Sequence, residues 1–145
     1  MARSVYLICL DWPRAQDATQ EAFIQLLLNW DRVSRFDRPG AWVRRVAIRL
    51  GNRATRRDAR RRAAEVSVEP VAQENLGFDV DVLSAIRVLS HHQRVAVVLF
   101  YYERASLEEI GEVLGCSSST AGVHLHRARG RLEELLTEVR PDGAR

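Results

Sequence analysis

The sequence of 145 residues contains no lysine, so each of its 22 positively charged side chains is an arginine. It contains only two cysteines, Cys9 and Cys116, which are far apart and lack the short spacing of a zinc site. We therefore expect two free thiols, no disulfide framework, no metal site and no cofactor. The adjacent His91 and His92 point to different sides of a helix, which is poor geometry for metal ligands.

Long hydrophobic runs are also absent. No run of about 18 apolar residues exists that could span a bilayer as a helix. No small-residue cleavage pattern follows the short apolar run that precedes Asp11, which argues against a secretory signal. We therefore expect a cytoplasmic protein that does not associate with membranes.

The arginines are concentrated in one part of the chain. Twelve of them lie between Arg32 and Arg62, where only Asp37 and Asp58 carry negative charge, and the rest of the chain is acidic. A guanidinium-rich stripe is typical of a surface that binds a polyanion, most simply the phosphates of a nucleic acid. The alternative is an arginine-rich surface that is merely solvated.

Proline and glycine divide the chain into two helical blocks, and strand-like alternation is absent almost everywhere. Residues 65–78 contain Pro70 and Gly77 and have no clear helical period, which predicts a linker. We therefore expect an all-α protein with two small helical domains, at residues 1–64 and 79–139, followed by a tail at residues 140–145.

The first block combines an expected core face with an unusual outer face. Helical periodicity from residue 15 to residue 34 predicts that one face is buried. This face contains Ala22, Phe23, Leu26, Trp30 and Val33. The opposite face is polar but includes Ile24 and Leu28, which predicts a surface for docking another protein. Isolated exposed aliphatic residues are an equally good explanation from the pattern alone.

A second amphipathic helix is expected after the turn at residues 36–40. Its apolar stripe stops at Ala54, whereas the arginines continue to Arg62, so this helix is predicted to project beyond the core. The stripe contains Trp42, Val43, Val46, Ala47, Leu50 and Ala54, and its flank contains Arg45, Arg49, Asn52 and Arg56. Because guanidinium groups pair bidentately with phosphate oxygens, the projecting part fits a nucleic-acid backbone.

The C-terminal block has the sequence signature of a helix-turn-helix. The run from Ser106 to Glu109 is a capping box, Gly115 ends the short helix that follows, and Ser117 is a good N-cap for the next helix. We expect this domain to be a four-helix bundle of the winged-helix-like, helix-turn-helix kind, with Tyr102 and Leu107 facing inwards. Its last helix would enter the major groove of DNA, unless the bundle is a generic helical hairpin.

Several runs of sequence resemble a known family. The runs Asp17-Ala-Thr-Gln20-Glu21-Ala-Phe23 and Pro39-Gly-Ala-Trp42-Val-Arg44-Arg45-Val46-Ala47 look like the second conserved region of extracytoplasmic-function (ECF) sigma factors of the bacterial sigma-70 family. The runs 92–102, 106–117 and 125–129 resemble the fourth region. Nearly the whole chain is covered, in the expected order.

The resemblance implies an RNA polymerase sigma factor, which binds core polymerase, recognises the -10 and -35 promoter elements and has no catalytic activity. An anti-sigma factor is a further candidate partner. The residues implied to bind core polymerase are Asp17, Gln20, Glu21, Ile24, Gln25 and Leu28. Those implied to contact the -10 element are Arg35, Phe36, Arg38, Arg45, Arg49, Asn52, Arg53 and Arg56. Those implied to contact the -35 element are Ser119, Thr120, Val123, His126, Arg127 and Arg129.

Some positions depart from the family pattern. Only Ala2 to Leu10 remain before Asp11, where the family usually has a longer helix, so we expect either a shortened first helix or a start that is assigned too far downstream. In the last helix, the family commonly has a basic residue at the position of Gly122, a small polar one at Val123 and another basic one at His124. We therefore expect weaker or different recognition of the -35 element. Phe36 is open to two interpretations, stacking on a base or burial in the core.

A stand-alone helix-turn-helix regulator is the alternative function. Such a protein would bind DNA without polymerase and would have no need for the face between Asp17 and Leu28. An enzyme is not expected, because helix capping and a groove-facing helix explain the serines and histidines near residue 120.

Overall fold

The computed structural model describes residues 1–62 and 79–139, and side chains are described up to residue 57 in the first range and residue 138 in the second. The expected linker and tail lie outside these residues. All regular structure in the described ranges is helical, and the chain divides into two compact units, Met1–Gln73 and Glu74–Arg145. The predicted all-α class with two helical domains is therefore confirmed. No helix in these ranges has the length and apolar character needed to cross a bilayer.

Each unit contributes four of the described helices. The first unit contains α1 (Ala2–Cys9), α2 (Trp12–Leu28), α3 (Trp30–Val33) and α4 (Pro39–Arg62). The second unit contains α5 (Val80–Val88), α6 (His91–Tyr101), α7 (Leu107–Leu114) and α8 (Ser118–Val139). Residues 79–139 include no strand, and the wing of a winged helix is made of strands. The described part of the second unit is therefore a helix-turn-helix bundle and not a winged helix.

In the first unit, α1, α2 and α4 pack against one another in pairs. Close approach is possible because α2 buries only the small residues Ala15, Ala18 and Ala22. On α4, a Cβ atom at Gly51 would lie 2.5 Å from Cγ1 of Val5 on α1. The contact between α1 and α4 therefore requires glycine at this point.

The expectation that Phe23 and Trp30 belong to the core is wrong. Phe23 is 48% exposed and Trp30 is 52% exposed. Phe23 lies about 100° around the helix from the buried Ala22, away from the alanine stripe that faces α1 and α4. Trp30 lies in a separate helix, because α2 ends at Leu28 and the Asn29 side-chain amide donates to the Gln25 carbonyl oxygen at 2.8 Å.

The buried stripe of α4 is also rotated from the predicted one. The buried residues are Val43, Ala47, Ile48, Gly51 and Asn52, whereas Trp42, Val46 and Leu50 are half-buried. After Asn52 no described side chain of α4 is fully buried, yet the helical backbone continues to Arg62. This agrees with the predicted projection of α4 beyond its core.

In the second unit, α8 packs against α5, α6 and α7. The predicted capping box opens α7: the Ser106 hydroxyl accepts from the Glu109 backbone N–H at 3.2 Å, and the Ser106 N–H donates to the Glu109 carboxylate at 2.9 Å. Gly115 ends α7 with φ of 71°, and the Ser117 hydroxyl accepts from the Thr120 N–H at 3.1 Å. The predicted helix-turn-helix is confirmed.

Two residues expected to face inwards in this unit are exposed, namely Tyr102 and Leu107. Tyr102 follows the last residue of α6 and lies at the end of the bundle. Leu107 lies opposite Gly122 of α8, where a Cβ atom would be 3.6 Å from the Leu107 Cδ1 atom. Because glycine has no side chain to cover it, Leu107 remains partly exposed.

The two free cysteines differ in environment. Cys9 is buried in α1 and its thiol donates to the Asp11 carbonyl oxygen at 3.3 Å, whereas Cys116 is half-buried. Burial raises the pKa of the Cys9 thiol, because the charged thiolate is poorly solvated there. A raised pKa leaves less thiolate at neutral pH, and the thiolate is the reactive form.

We therefore expect iodoacetamide at neutral pH to alkylate Cys116 much faster than Cys9 in the native protein. Peptide mapping by mass spectrometry after timed quenching measures the two rates. The same reaction in denaturant is the control, and there the two rates should converge. Equal rates in the native protein would contradict the buried position of Cys9.

Candidate functional site

The first candidate surface is the face of α2 that points away from α1 and α4. Asp11 caps this helix by accepting from the Arg14 N–H at 3.1 Å, and Pro13 lies in the first turn. These start signals and the alanine stripe set the rotation of the helix. The opposite, outward face carries the six residues expected to bind polymerase: Asp17, Gln20, Glu21, Ile24, Gln25 and Leu28.

Five of these six side chains are exposed, and Gln25 is half-buried with its amide donating to the Glu21 carboxylate at 3.0 Å. The exposed Phe23 and Leu27 extend the apolar area along the same helix. The helical pattern did not assign Phe23 or Leu27 to this face. The signal that could have found them is the run of alanines at 15, 18 and 22, whose spacing marks a close helix contact on the other side.

The second candidate surface is the segment between α3 and α4. Arg35, Phe36 and Arg38 are all exposed, so the interpretation of Phe36 as a core residue is wrong. The Phe36 backbone N–H donates to the Val33 carbonyl oxygen at 3.0 Å, and the Arg32 guanidinium lies 5.9 Å from the centre of the Phe36 ring. An exposed ring among guanidinium groups is the arrangement used to stack an unpaired base.

The exposed arginines of α4 continue this surface. Arg45, Arg49, Arg53 and Arg56 are exposed, and their spacing places them within roughly 80° of the helix circumference. Asn52 lies about 20° beyond the edge of this range, next to Arg45, and is only 3% exposed. The expectation that Asn52 contacts DNA is therefore wrong, because this position is in the packed side of α4.

The third candidate surface is the outward face of α8. Ser119, Val123, His126 and Arg127 are exposed within roughly 100° of the circumference, with Thr120 at the edge of this face. The buried residues Ala121, Leu125 and Ala128 point to the other side.

The same face of α8 becomes acidic in its later turns. Glu133 and Glu134 are exposed, and Arg131 pairs with Glu134 at 3.2 Å. Carboxylates repel phosphates, so the later turns of this face fit a phosphate backbone less well than the first three.

Arg129 is exposed on the flank of that surface, about 60° around the helix from His126. Its Nε donates to the Tyr101 hydroxyl at 2.8 Å, and its guanidinium lies 5.0 Å from the centre of the Phe100 ring. These contacts hold Arg129 on the flank of α8 towards α6. No local pattern could predict these contacts, because Tyr101 is 28 residues away in the sequence.

The histidines do not form a metal centre in the described part of the chain. The rings of His92 on α6 and His124 on α8 are stacked with 5.0 Å between their centres and 14° between their planes. No group of three or more metal-ligating side chains occurs among the described residues. The ring stack instead joins α6 to α8.

Comparisons with known proteins identify similar chains. The family model of sigma-70 region 4 matches residues 79–132. The chain is 31% identical over 143 residues to an RNA polymerase sigma-E factor of Streptomyces avermitilis, covering 94% of this chain and 78% of the relative. It is 27% identical to the ECF RNA polymerase sigma factor SigW of Bacillus subtilis, covering 86% and 76%.

Among solved structures, the sigma factor RpoE in complex with the anti-sigma factor NepR from Bartonella quintana is similar to this fold. The TM-score is 0.75 at 25% sequence identity, covering 94% of this chain and 89% of that chain.

Proposed function

Because this chain belongs to the ECF RNA polymerase sigma factors of the sigma-70 family, which are non-catalytic transcription initiation factors, we propose a division of labour between its two units. The domain at residues 1–64, which lies in the first unit, binds core polymerase and recognises and melts the -10 element. The domain at residues 79–139, which lies in the second unit, recognises the -35 element. Together they direct initiation at specific promoters, and the chain has no catalytic activity of its own.

The observation that carries this proposal is the outward face of α2. Exposed carboxylate and amide groups surround Ile24 and Leu28, which a monomeric DNA-binding protein has no reason to expose together. An interface with an apolar centre and a polar rim is typical of stable protein association. Because sigma factors bind core polymerase, we assign core polymerase as the partner that binds this face.

On the -10 element, the separated strands must be held after melting. Phe36 offers a ring for an unpaired base, and Arg35 and Arg38 beside it offer charge to the backbone. Arg45, Arg49, Arg53 and Arg56 extend this positive surface along α4 towards the duplex. Asn52 is not included, since it is buried.

On the -35 element, the first turns of α8 lie in the major groove. Ser119, Thr120, Val123, His126 and Arg127 face the bases and the backbone, and the exposed Arg129, held on the flank by Tyr101, lies beside them as a phosphate contact. This placement follows the general docking geometry of a helix-turn-helix, in which the second helix presents its N-terminal residues to base edges.

The proposed partners are core RNA polymerase and promoter DNA, and the protein acts where these are found, in the bacterial cytoplasm. The similar RpoE structure contains an anti-sigma factor, so we include an anti-sigma factor among the proposed partners. An anti-sigma factor that covered the face of α2 would compete directly with polymerase.

Reconstituted transcription tests the proposal. Core polymerase together with the full chain should start transcription at a small set of sites in a library of genomic fragments, whereas either component alone should not. Specific duplex binding by the chain alone, unchanged by Gln20→Ala with Glu21→Ala, together with no initiation on any fragment, would favour the stand-alone regulator instead.

The arginine surface makes a prediction about salt. With about six phosphate contacts, the logarithm of the DNA association constant of the full chain should fall against log salt with a slope of about -5. Fluorescence anisotropy on a labelled duplex over a range of salt concentrations measures this slope. Arg45→Ala with Arg49→Ala should make the slope shallower by about two, because each contact contributes about one. A slope near zero would contradict the assignment of this surface to DNA.

A further inference from the structure

Val123 lies at the centre of the outward face of α8. It is 46% exposed, and one helical turn before it and after it stand Ser119 and Arg127. The buried Ala121 and Leu125 point to the opposite side of the helix. Packing within the unit therefore does not account for an apolar side chain at this position.

The surroundings of Val123 indicate what kind of partner covers it. Arg127 and His126 flank it, and the first turn of α8, capped by Ser117, presents the positive end of the helix dipole. Beyond them the acidic Glu133 and Glu134 limit the surface. This charge pattern fits a polyanion that contacts only the first three turns, and Val123 is the one apolar side chain on this face between Ser119 and Arg127.

Duplex DNA presents a single apolar group in the major groove, the 5-methyl group of thymine. We infer that Val123 is a specificity-determining residue that contacts the 5-methyl group of a thymine in the -35 element. The inference rests on the proposed function, and it names the base that the side chain at the centre of this face contacts. Ser119 and Arg127, on either side, contact neighbouring bases or phosphates and hold the helix in register.

The test removes the methyl group without changing base pairing. Holoenzyme made from core polymerase and the full chain selects duplexes from a library in which the -35 segment is randomised. In the selected sequence, each thymine on either strand is then replaced, one at a time, by deoxyuridine. At one position this replacement should weaken binding of the holoenzyme about fourfold, the effect of one buried methyl group.

The Val123→Ala holoenzyme should bind the thymine and deoxyuridine duplexes equally at that position. The matched control is Val88→Ala, since Val88 is 54% exposed but lies on α5. This control should keep the fourfold discrimination of the unmodified protein. A thermal melt of each variant verifies that the second unit is folded.

The outcomes separate the inference from the proposed function. If the holoenzyme enriches a -35 sequence but binds its thymine and deoxyuridine forms equally, the inference is overturned and the proposed function stands. A selected sequence without thymine on either strand, or discrimination that persists in Val123→Ala, also overturns the inference. If the holoenzyme enriches no duplex, the proposed function fails and the inference fails with it.

Discussion

Replacing Ile24 and Leu28 together by aspartate should weaken association with core polymerase at least about 100-fold. Both side chains are exposed on the outward face of α2, so the substitution leaves the packing of the first unit intact. In the complex, however, it would place two charges in the apolar centre of an interface, where charges without partners are strongly unfavourable. Titration of labelled core polymerase with the full chain measures the loss.

Arg45→Ala with Arg49→Ala serves as the matched control. These side chains are exposed on α4 of the same unit, and they are assigned to DNA. This variant should keep its affinity for core polymerase and lose promoter opening, whereas the α2 variant should lose both. Unchanged polymerase affinity in the α2 variant, with an unchanged melting temperature, would remove the face of α2 from the interface.

Replacing Gly111 by alanine should disrupt the corner of the helix-turn-helix. A Cβ atom there would lie 2.6 Å from the Cys116 carbonyl oxygen and 3.2 Å from the Ser117 carbonyl oxygen, so backbone would have to move. The movement would also disturb the hydrogen bond from the Cys116 N–H to the Gly111 carbonyl oxygen, 2.9 Å long. We expect a loss of about 2 kcal/mol of unfolding free energy, and a melting temperature lower by about 10 °C.

The control for this prediction is Gly130→Ala on α8. A Cβ atom at Gly130 has no heavy atom within 4 Å, so alanine adds helix propensity without a clash. This variant should be more stable by up to about 1 kcal/mol, which is a change of the opposite sign. Differential scanning calorimetry of both variants makes the comparison, and stabilisation by Gly111→Ala would show that the turn does not pack as described.

The Gly111 substitution should also affect transcription. Because Gly111 supports the turn that orients α8, its substitution should reduce initiation at promoters that depend on the -35 element. Binding to core polymerase through α2 should be unaffected, since α2 belongs to the other unit.

Features that depend on neighbouring residues were determined by the sequence alone. The capping box at Ser106, the glycine that ends α7 and the cap at Ser117 all act within one helical turn, so a pattern of residue types is enough to predict them. The concentration of arginine and the exposure of Ile24 and Leu28 follow equally directly from composition and helical period.

The rotation of each helix about its own axis was decided only by the tertiary structure. The apolar pattern of α2 allowed Phe23 on the buried side, but the alanines that fit closely against α1 and α4 turn Phe23 outwards. On α4, the close approach of Val5 to Gly51 selects a contact side that includes Ile48 and buries Asn52.

Contacts between residues that are distant in the sequence could not be predicted from local patterns either. Nothing near Arg129 in the sequence indicates that Tyr101 and Phe100 on α6 hold its guanidinium. A periodic pattern reports which side chains share a face of one helix, and it carries no information about which neighbour that face meets. That choice depends on how closely packed surfaces fit, which only the assembled helices determine.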